Sequence, residues 1–181
     1  MDYYTSVMLS DQILGSLRYL SLGKKNCELL LLFSRCYVAR LEYFVINTWD
    51  LELAVNVLKE INRNELKHLV LICYEMISIH EICDVSDLFN LEFAALEVLE
   101  IGAGYRDLGL NSRFTSGIQM KKLETLRINC WCVDKELMQM ITKFEMLKHL
   151  EIFMCDYADI SYELVWKQLP NLKGPIEKLF V

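Results

Sequence analysis

The sequence predicts an α/β fold of about seven stacked repeats, with a parallel β-sheet on one face and helices on the other. Three observations support this prediction. The pattern L-x-x-L-x-L, or a close variant, occurs seven times, successive copies begin 24 to 30 residues apart, and several intervals between them show helical spacing of apolar residues. Units of this length form a solenoid because one unit cannot bury its own apolar face, whereas stacked units bury a continuous core.

Each copy of the motif predicts one short strand. Side chains alternate faces along a strand, so residues at +3 and +5 enter the core while those at +2, +4 and +6 point outward. The copies LRYLSL, LEYFVI, LKHLVL, LEVLEI, LETLRI, LKHLEI and IEKLFV begin at Leu17, Leu41, Leu66, Leu96, Leu123, Leu147 and Ile176. Residues 1–181 are expected to form one solenoid domain, in which 1–16 supply an N-terminal helical half-repeat or cap.

Three intervals between the motifs predict helices. In residues 133–146, Val133, Leu137, Ile141 and Phe144 recur at intervals of three or four and mark one apolar face. Asp134 stands where a helix N-cap is expected. Residues 51–65 and 156–169 show similar spacing. Strand and helix are therefore predicted to alternate along the chain.

Charge and hydropathy disfavour nucleic-acid and membrane partners. The net charge of −6 opposes binding to phosphate backbones, which depends on clustered Lys and Arg. The longest apolar run, Leu29 to Phe33, is much shorter than the roughly 20 residues that cross a bilayer. Asp2 stands where a signal peptide would carry positive charge, so secretion is not expected.

The cysteines indicate a reducing compartment. An odd number of cysteines in a chain of this length fits reduced thiols better than a disulfide framework. The seven are Cys27, Cys36, Cys73, Cys83, Cys130, Cys132 and Cys155. We therefore expect a cytoplasmic or nuclear protein in which most thiols are buried as small apolar groups.

The outward positions of the strands are the predicted contact surface for another protein. They mix aromatic, aliphatic and charged side chains, whereas a surface that meets only solvent would carry more Lys and Glu. The predicted contact residues are Tyr43, Val45, His68, Val70, Ile72, Val98, Glu100, Thr125, Arg127, His149, Glu151, Phe153 and Phe180. The alternative is that the chain's own loops cover some of these positions. Seven strands offer roughly 300 Å² of sheet, so a specific partner should also contact flanking loops, including 102–114.

No catalytic or nucleotide site is predicted. Gly102 and Gly104 follow the fourth strand motif, but Asp107 occupies the third glycine position of the dinucleotide fingerprint, so a turn is the simpler interpretation. His68 and His149 occupy equivalent outward positions about 14 Å apart, too far to share one catalytic task. We expect them to be contact residues instead.

No metal or other cofactor is predicted either. The pairs Cys130 with Cys132 and His80 with Cys83 each supply two possible ligands, whereas a structural zinc site needs four. The two thiols of Cys130 and Cys132 are expected to point to one face of a strand, where burial is the simpler outcome.

The repeated motif resembles the leucine-rich-repeat superfamily over residues 9–181. The cysteines after several strands resemble its irregular, cysteine-containing intracellular type, found in the repeat region of F-box proteins. This resemblance implies a horseshoe with the parallel sheet on its concave face and helices on its convex face. It also implies a protein-protein interaction module, with substrate recognition for a cullin-type ubiquitin ligase as the family role. The family's usual Asn or Cys eight residues after the first leucine is matched by Cys155, whereas Lys25, Trp49, Tyr74, Gly104 and Trp131 occupy the other positions.

The ends of the chain suggest a second interpretation. About 16 residues precede Leu17, which leaves no room for an F-box, so a fragment of a longer F-box protein is one expectation. Val181 lies within the seventh motif, whereas a solenoid usually ends in a polar cap. Association through uncapped ends is therefore expected. The alternative function is a structural subunit of a larger complex whose neighbouring chains cover these ends.

The assignment of faces is testable by substitution. Leu126→Ala should lower the free energy of unfolding by about 2–5 kcal/mol because it opens a cavity in the predicted core. Arg127, on the opposite face, is expected to tolerate replacement by Glu with little change in stability. Urea denaturation of both variants measures this difference, and equal losses would contradict the assignment.

Overall fold

The computed structural model describes residues 16–23, 40–48, 51–73, 82–104, 106–111, 114, 119–154 and 159–181. Within these residues the chain is α/β, with one large parallel sheet, one small parallel sheet and several helices. The predicted N-terminal half-repeat falls almost entirely outside the described residues, as do Cys27, Cys36, Cys155 and His80.

Seven of the described strands form the large sheet, one from each copy of the motif. The strands are β1 (Tyr19–Leu22), β2 (Tyr43–Thr48), β3 (His68–Cys73), β4 (Ile82–Asp84), β5 (Val98–Gly102), β6 (Asp107–Gly109), β7 (Thr125–Cys130), β8 (His149–Met154) and β9 (Lys178–Phe180). The order of the large sheet is β1-β2-β3-β5-β7-β8-β9, and every pairing is parallel. The two edge strands are not paired with each other, so the sheet is not a closed barrel.

All seven strands are in step. The residue at +2 of each motif pairs with the residue at +2 of the next, as Tyr43 does with Tyr19 and His68. The same register holds from His68 through Val98 and Thr125 to the last strand. Equivalent positions of the seven motifs therefore form straight rows across the sheet.

The three aliphatic or aromatic positions of the five central motifs form the core, as predicted. These side chains are Leu41, Phe44, Ile46, Leu66, Leu69, Leu71, Leu96, Leu99, Ile101, Leu123, Leu126, Ile128, Leu147, Leu150 and Ile152, none of them more than 3% exposed. Full burial of one such side chain stabilises the fold by about 1.5–3 kcal/mol. The position at +7 also faces the core, where Thr48, Cys73, Ala103 and Cys130 are buried.

Helices occupy the three intervals that the hydrophobic spacing indicated, and a fourth, four-residue helix lies in the interval after β3. They are α1 (Leu51–Glu60), α2 (Ser86–Phe89), α3 (Lys135–Ile141) and α4 (Asp159–Gln168), with 3-10 turns at Arg63–Glu65 and Leu169–Asn171. Leu137 and Ile141 of α3 are completely buried in the same core as the strand residues. The predicted cap is confirmed, because the Asp134 carboxylate accepts a hydrogen bond from the Leu137 backbone N–H at 2.6 Å. Val133 lies outside the helix and forms a parallel bridge with Leu108.

The intervals after β3 and β5 differ from the predicted alternation of strand and helix. The first contains β4 and the four-residue α2, while the described part of the second contains β6 and no helix. Neither interval has a long run of helical spacing, so short extended segments replace the helices. β4 and β6 pair in parallel, and the bridge from Leu108 to Val133 extends this arrangement to the next interval.

Asp134 joins two adjacent intervals. Its carboxylate accepts a hydrogen bond from the Leu110 backbone N–H at 2.9 Å in addition to its bond with Leu137. Gly109 makes this approach possible, because a Cβ there would collide with the Asp134 carboxylate. Burial raises the pKa of Asp134 above its ordinary value of 3.8, although the two backbone N–H groups oppose this effect.

Loss of the Asp134 carboxylate should destabilise the protein. Asp134→Ala leaves the Leu110 and Leu137 N–H groups without this acceptor and should lower the free energy of unfolding by about 1–2 kcal/mol. Asp134→Asn keeps one side-chain oxygen and should lose less. Urea denaturation at neutral pH compares the variants, and equal losses would contradict the proposed capping role.

The same carboxylate gives stability a defined pH dependence. A raised pKa in the folded state means that folding favours the protonated form of Asp134. Its contribution is therefore most favourable below pH 3.8 and decreases as the pH rises through the folded-state pKa. The stability of the wild type relative to Asp134→Asn should fall over this range in urea denaturation. A relative stability that instead increased with pH would show that hydrogen bonding outweighs burial.

Candidate functional site

The face of the large sheet opposite the core contains all the predicted contact residues, and we call it the open face. Because the strands are in step, its side chains form three rows. The first row is Tyr19, Tyr43, His68, Val98, Thr125, His149 and Lys178. The second row is Ser21, Val45, Val70, Glu100, Arg127, Glu151 and Phe180. The third row is Asn47, Ile72, Gly102, Asn129 and Phe153.

Exposure on the open face only partly follows the prediction. Phe153 and Phe180 are about half exposed, at 53% and 48%, and most other predicted residues are partly buried. Val70 and Thr125 are buried, at 7% and 8% exposed, so each presents less surface than predicted, although Val70 still borders the groove described below. Both lie in central strands, where side chains from neighbouring strands cover them on either side.

An aromatic stack occupies one end of the first row. The Tyr19 and Tyr43 rings stack with centroids 4.8 Å apart, and the Tyr43 ring lies 4.2 Å from the His68 ring at a tilt of 46°. The in-step register produces this stack, because it places the three side chains on adjacent strands at the same level. Tyr19 is 56% exposed, so the end of the stack is accessible.

A chain of polar contacts crosses the rest of the face. Glu100 Oε1 lies 3.2 Å from His68 Nε2 and 2.6 Å from Arg127 Nη1. Arg127 Nε donates a hydrogen bond to Glu151 Oε2 at 3.0 Å, and Glu151 Oε1 lies 3.7 Å from Lys178 Nζ. This series of contacts alternates acidic and basic side chains over five strands. The formal charges of these five side chains sum to zero when His68 is neutral.

Two pKa values reflect this arrangement. The hydrogen bond from Arg127 to Glu100 raises the pKa of the guanidinium, and the charge of Glu151 adds to that effect. Desolvation raises the pKa of Tyr43, with a further contribution from the negative charge of Glu100. Both groups therefore keep their protons at neutral pH.

The two histidines lie three strands apart, as the register predicted. His68 contacts Tyr43 and Glu100. His149 Nδ1 lies 3.4 Å from Thr125 Oγ1, and its Nε2 lies 3.8 Å from Glu177. Each histidine has its own set of neighbours on the open face.

A groove with a volume of about 380 Å³ opens on the third row. It arises because Gly102 contributes no side chain between Ile72 and Asn129, which occupy the adjacent strands. Phe153 forms the far wall, and Arg127 is among the polar residues that line the groove. Val70 and Ile72 supply further apolar side chains, while Ile101 and Ile128, whose side chains are buried in the core, border the groove through their backbone.

Sequence reasoning missed two central residues of this groove. It interpreted Gly102 as part of a turn, whereas Gly102 is the last residue of β5, and Gly104 has the positive φ of 60°. Asn129 is exposed on the open face, although it was absent from the predicted contact set. The signal lies in the +6 position of three successive motifs, which is Ile72 in the third, Gly102 in the fourth and Asn129 in the fifth. A glycine between two larger residues at this position predicts a gap in the row of side chains.

The described residues of the predicted contact loop, residues 102–114, are not all irregular. It contains β6, whose Leu108 and Gly109 are buried beside β4, while Tyr105, Ser112 and Arg113 lie outside the described residues. The apolar side chain of Leu108 explains the difference, because it packs into the main core.

The cysteines and histidines do not cluster in the described part of the chain. Cys73, Cys83 and Cys130 are buried, and the Cys130 thiol donates a hydrogen bond to the Cys132 carbonyl at 3.3 Å. Within the described residues, no three His, Cys, Asp or Glu side chains are arranged to hold a metal ion. None of the described helices has the length and apolar composition to cross a bilayer.

No family model, curated protein or solved structure matches the chain. Its function is therefore inferred from the repeated motif and from the open face.

The contacts of Arg127 change the expected effect of its substitution. Arg127→Glu would place a third carboxylate between Glu100 and Glu151, whose side chain is only 12% exposed. We now expect a loss of about 1–3 kcal/mol in unfolding free energy, between the values for exposed and buried ion pairs. Arg127→Met should lose less, because it removes the charge but keeps an apolar stem.

Urea denaturation at low and high salt tests this interpretation. Salt should reduce the loss in Arg127→Glu, since it screens repulsion between carboxylates. The double variant Arg127→Glu, Glu151→Arg should recover part of the lost stability. Equal losses in Arg127→Glu and Arg127→Met would show that the ion pairs contribute little.

Proposed function

We propose that the chain is a solenoid of the leucine-rich-repeat type that binds another protein through the open face. The solenoid assignment is supported by seven parallel strands in chain order, each from one motif copy. It is also supported by the second column of short extended segments, formed by β4, β6 and Val133 in three successive intervals. Successive units that repeat both a long and a short strand suit a coiled chain with a continuous core.

The observation that carries the binding proposal is the exposure of aromatic side chains on the open face. Tyr19, Phe153 and Phe180 are each roughly half exposed. Aromatic residues are enriched in protein interfaces because a rigid ring buries a large area at a small cost in conformational entropy. The three residues lie at different places along the sheet, which favours a partner that spans several strands.

The charge pattern suits recognition better than proton transfer. Glu100 and Glu151 are each engaged by basic groups, so both carboxylates are held in fixed positions. Fixed, alternating charges beside apolar surface contribute to specificity, because a partner with the wrong charge pattern would leave groups desolvated without a counterpart. We therefore favour binding over catalysis.

The resemblance to F-box proteins with leucine-rich repeats suggests a more specific role. In this role the open face would recognise substrates for a cullin-type ubiquitin ligase in the cytoplasm or nucleus. This proposal rests on family analogy, and the open face supplies only the surface on which such recognition would take place.

One observation favours a second candidate function, a structural subunit. Leu179 occupies an inward position equivalent to Leu150, yet it is 38% exposed, whereas Leu150 is fully buried. The neighbouring Phe180 is also exposed on the same strand. A permanent neighbour packed against β9 would bury both side chains and extend the core.

Affinity purification of the tagged chain from the cells that express it, followed by mass spectrometry, tests the binding proposal. Phe153→Ala should reduce recovery of a bound partner, since truncation of a central interface aromatic often weakens binding by 2 kcal/mol or more, about thirtyfold. Trp166→Ala is the matched control, because Trp166 is 58% exposed on α4, away from the open face.

The outcomes separate the two candidate functions. Loss of a partner in Phe153→Ala but not in Trp166→Ala supports recognition by the open face. Cullin-ligase subunits among the partners would support the ubiquitin-ligase role. A fixed set of proteins that is lost in Leu179→Glu but unchanged in Phe153→Ala would support the structural subunit and contradict the open-face proposal.

A further inference from the structure

We propose that the groove over Gly102 accepts one apolar side chain from an extended segment of the partner, and that Arg127 and Asn129 bind the main chain of that segment. This inference rests on the proposed function, because it specifies what the open face recognises. The partner is thereby defined as a polypeptide with an exposed residue such as Leu, Ile or Met on an extended stretch.

The width of the gap matches one side chain. Adjacent strands lie about 4.8 Å apart, so Ile72 and Asn129, which flank Gly102, are separated by about 9.6 Å across the missing side chain. A Cβ at Gly102 would meet Ile72 Cγ2 at 3.4 Å, an ordinary van der Waals contact. The gap therefore results from the residue type and is not demanded by a strained backbone.

The walls of the groove favour an apolar occupant. Val70, Ile72 and Phe153 lie on the open face and contribute apolar side chains to the lining. The volume of about 380 Å³ lies at the small end of the range for ligand pockets, roughly 300–1,000 Å³. It accommodates a side chain with its adjoining peptide units, and not an element of folded structure.

Two polar groups at the groove match the chemistry of a peptide main chain. Arg127 uses Nε and Nη1 for Glu151 and Glu100, while its Nη2 has no hydrogen-bond or ion-pair partner among the described residues. Asn129 is exposed, and its amide carries both donors and an acceptor. A peptide unit offers one C=O and one N–H, so it can pair with these two side chains together.

Charge distinguishes a peptide carbonyl from a carboxylate. Arg127 is already engaged by the carboxylates of Glu100 and Glu151, Lys178 contacts this group only through Glu151, and the whole chain carries −6. A carboxylate brought to Arg127 would be repelled by the two glutamates that already hold it, whereas a neutral carbonyl would not. We therefore infer an internal peptide segment with neutral or basic flanks, and not an acidic or C-terminal one.

Methyl NMR of the full chain tests this inference with defined probes. The probes are N-acetyl-leucine methylamide, N-acetyl-alanine methylamide and N-acetyl-leucine with its free carboxylate. The leucine amide should shift the methyl signals of Val70 and Ile72 with a Kd on the order of 1 mM, the value expected for about 13 non-hydrogen atoms. The alanine amide should bind at least about tenfold more weakly, because it buries three fewer carbons. The free acid should bind several-fold more weakly than the leucine amide.

A matched pair of glycine variants tests the location of binding. Gly102→Val should fill the groove and weaken the leucine amide at least about tenfold. Gly23→Val is the control, because a Cβ at Gly23 meets nothing within 4 Å. Phe153→Ser, which truncates an exposed wall residue, provides a second groove variant in case Gly102→Val alters folding. Thermal unfolding of each variant identifies any such alteration.

The inference is overturned if the leucine amide leaves the Ile72 methyl signals unchanged at about ten times the expected Kd. It is also overturned if Gly102→Val and Gly23→Val bind the probe equally, or if the free acid binds more tightly than the amide. None of these results would decide the proposed function, because recovery of a partner in the Phe153→Ala purification is measured independently. Conversely, the leucine amide could bind the groove although the purification recovers no partner. That result would support the groove as a binding site and contradict the proposed function.

Discussion

The in-step register of the seven parallel strands is the constraint on which the rest of this structure depends. Each central motif buries three large side chains almost completely, and a register shift by one residue would move them to the opposite face. Burial of one such side chain contributes about 1.5–3 kcal/mol, whereas an exposed ion pair contributes about 0–1 kcal/mol. The apolar positions therefore fix the register, and the polar contacts on the other face follow from it.

The rows on the open face are a consequence of this register. Tyr19, Tyr43 and His68 stack because they share one position in three consecutive motifs. Glu100 and Arg127 meet for the same reason, since β5 and β7 are neighbours in the sheet although 27 residues separate the two side chains. The series of polar contacts across five strands is therefore positioned by the strands alone, without a contribution from the loops.

The sequence predicts the large sheet well because its signal is repeated. Seven copies of one pattern specify which residues face the core, and the helical spacing in residues 51–65 and 133–146 indicates α1 and α3. The short strands β4 and β6 have only three residues each, too few for a periodic signal, and their pairing depends on contacts between distant intervals. Val133 is a further example of a contact between distant intervals that the sequence does not reveal. Its spacing predicts a helical residue, but it lies before α3 and forms a bridge with Leu108.

The candidate site is less predictable, because alternation specifies a face but not exposure on that face. Val70 points away from the core as expected, yet it is buried by the side chains beside it. Glu100, Arg127 and Glu151 share the +4 position of three successive motifs, so their proximity follows from the predicted stacking, whereas the atoms that pair do not. The groove exists because Gly102 has no side chain. In the sequence, Gly102 and Gly104 together indicated a turn, and the comparison of Gly102 with the same position in neighbouring motifs was not made.

Alternation also explains how this fold can combine stability with a varied surface. Ile101 and Gly102 are adjacent in β5, yet the first is buried in the core and the second opens a groove on the opposite face. A glycine in a strand costs roughly 0.5–1 kcal/mol relative to alanine, less than the contribution of one buried isoleucine. A gap on the open face is therefore tolerated as long as the neighbouring inward residue remains buried. The exception is Arg127, where the ion pairs link the open face to the stability of the sheet, so changes in recognition at that position also change folding.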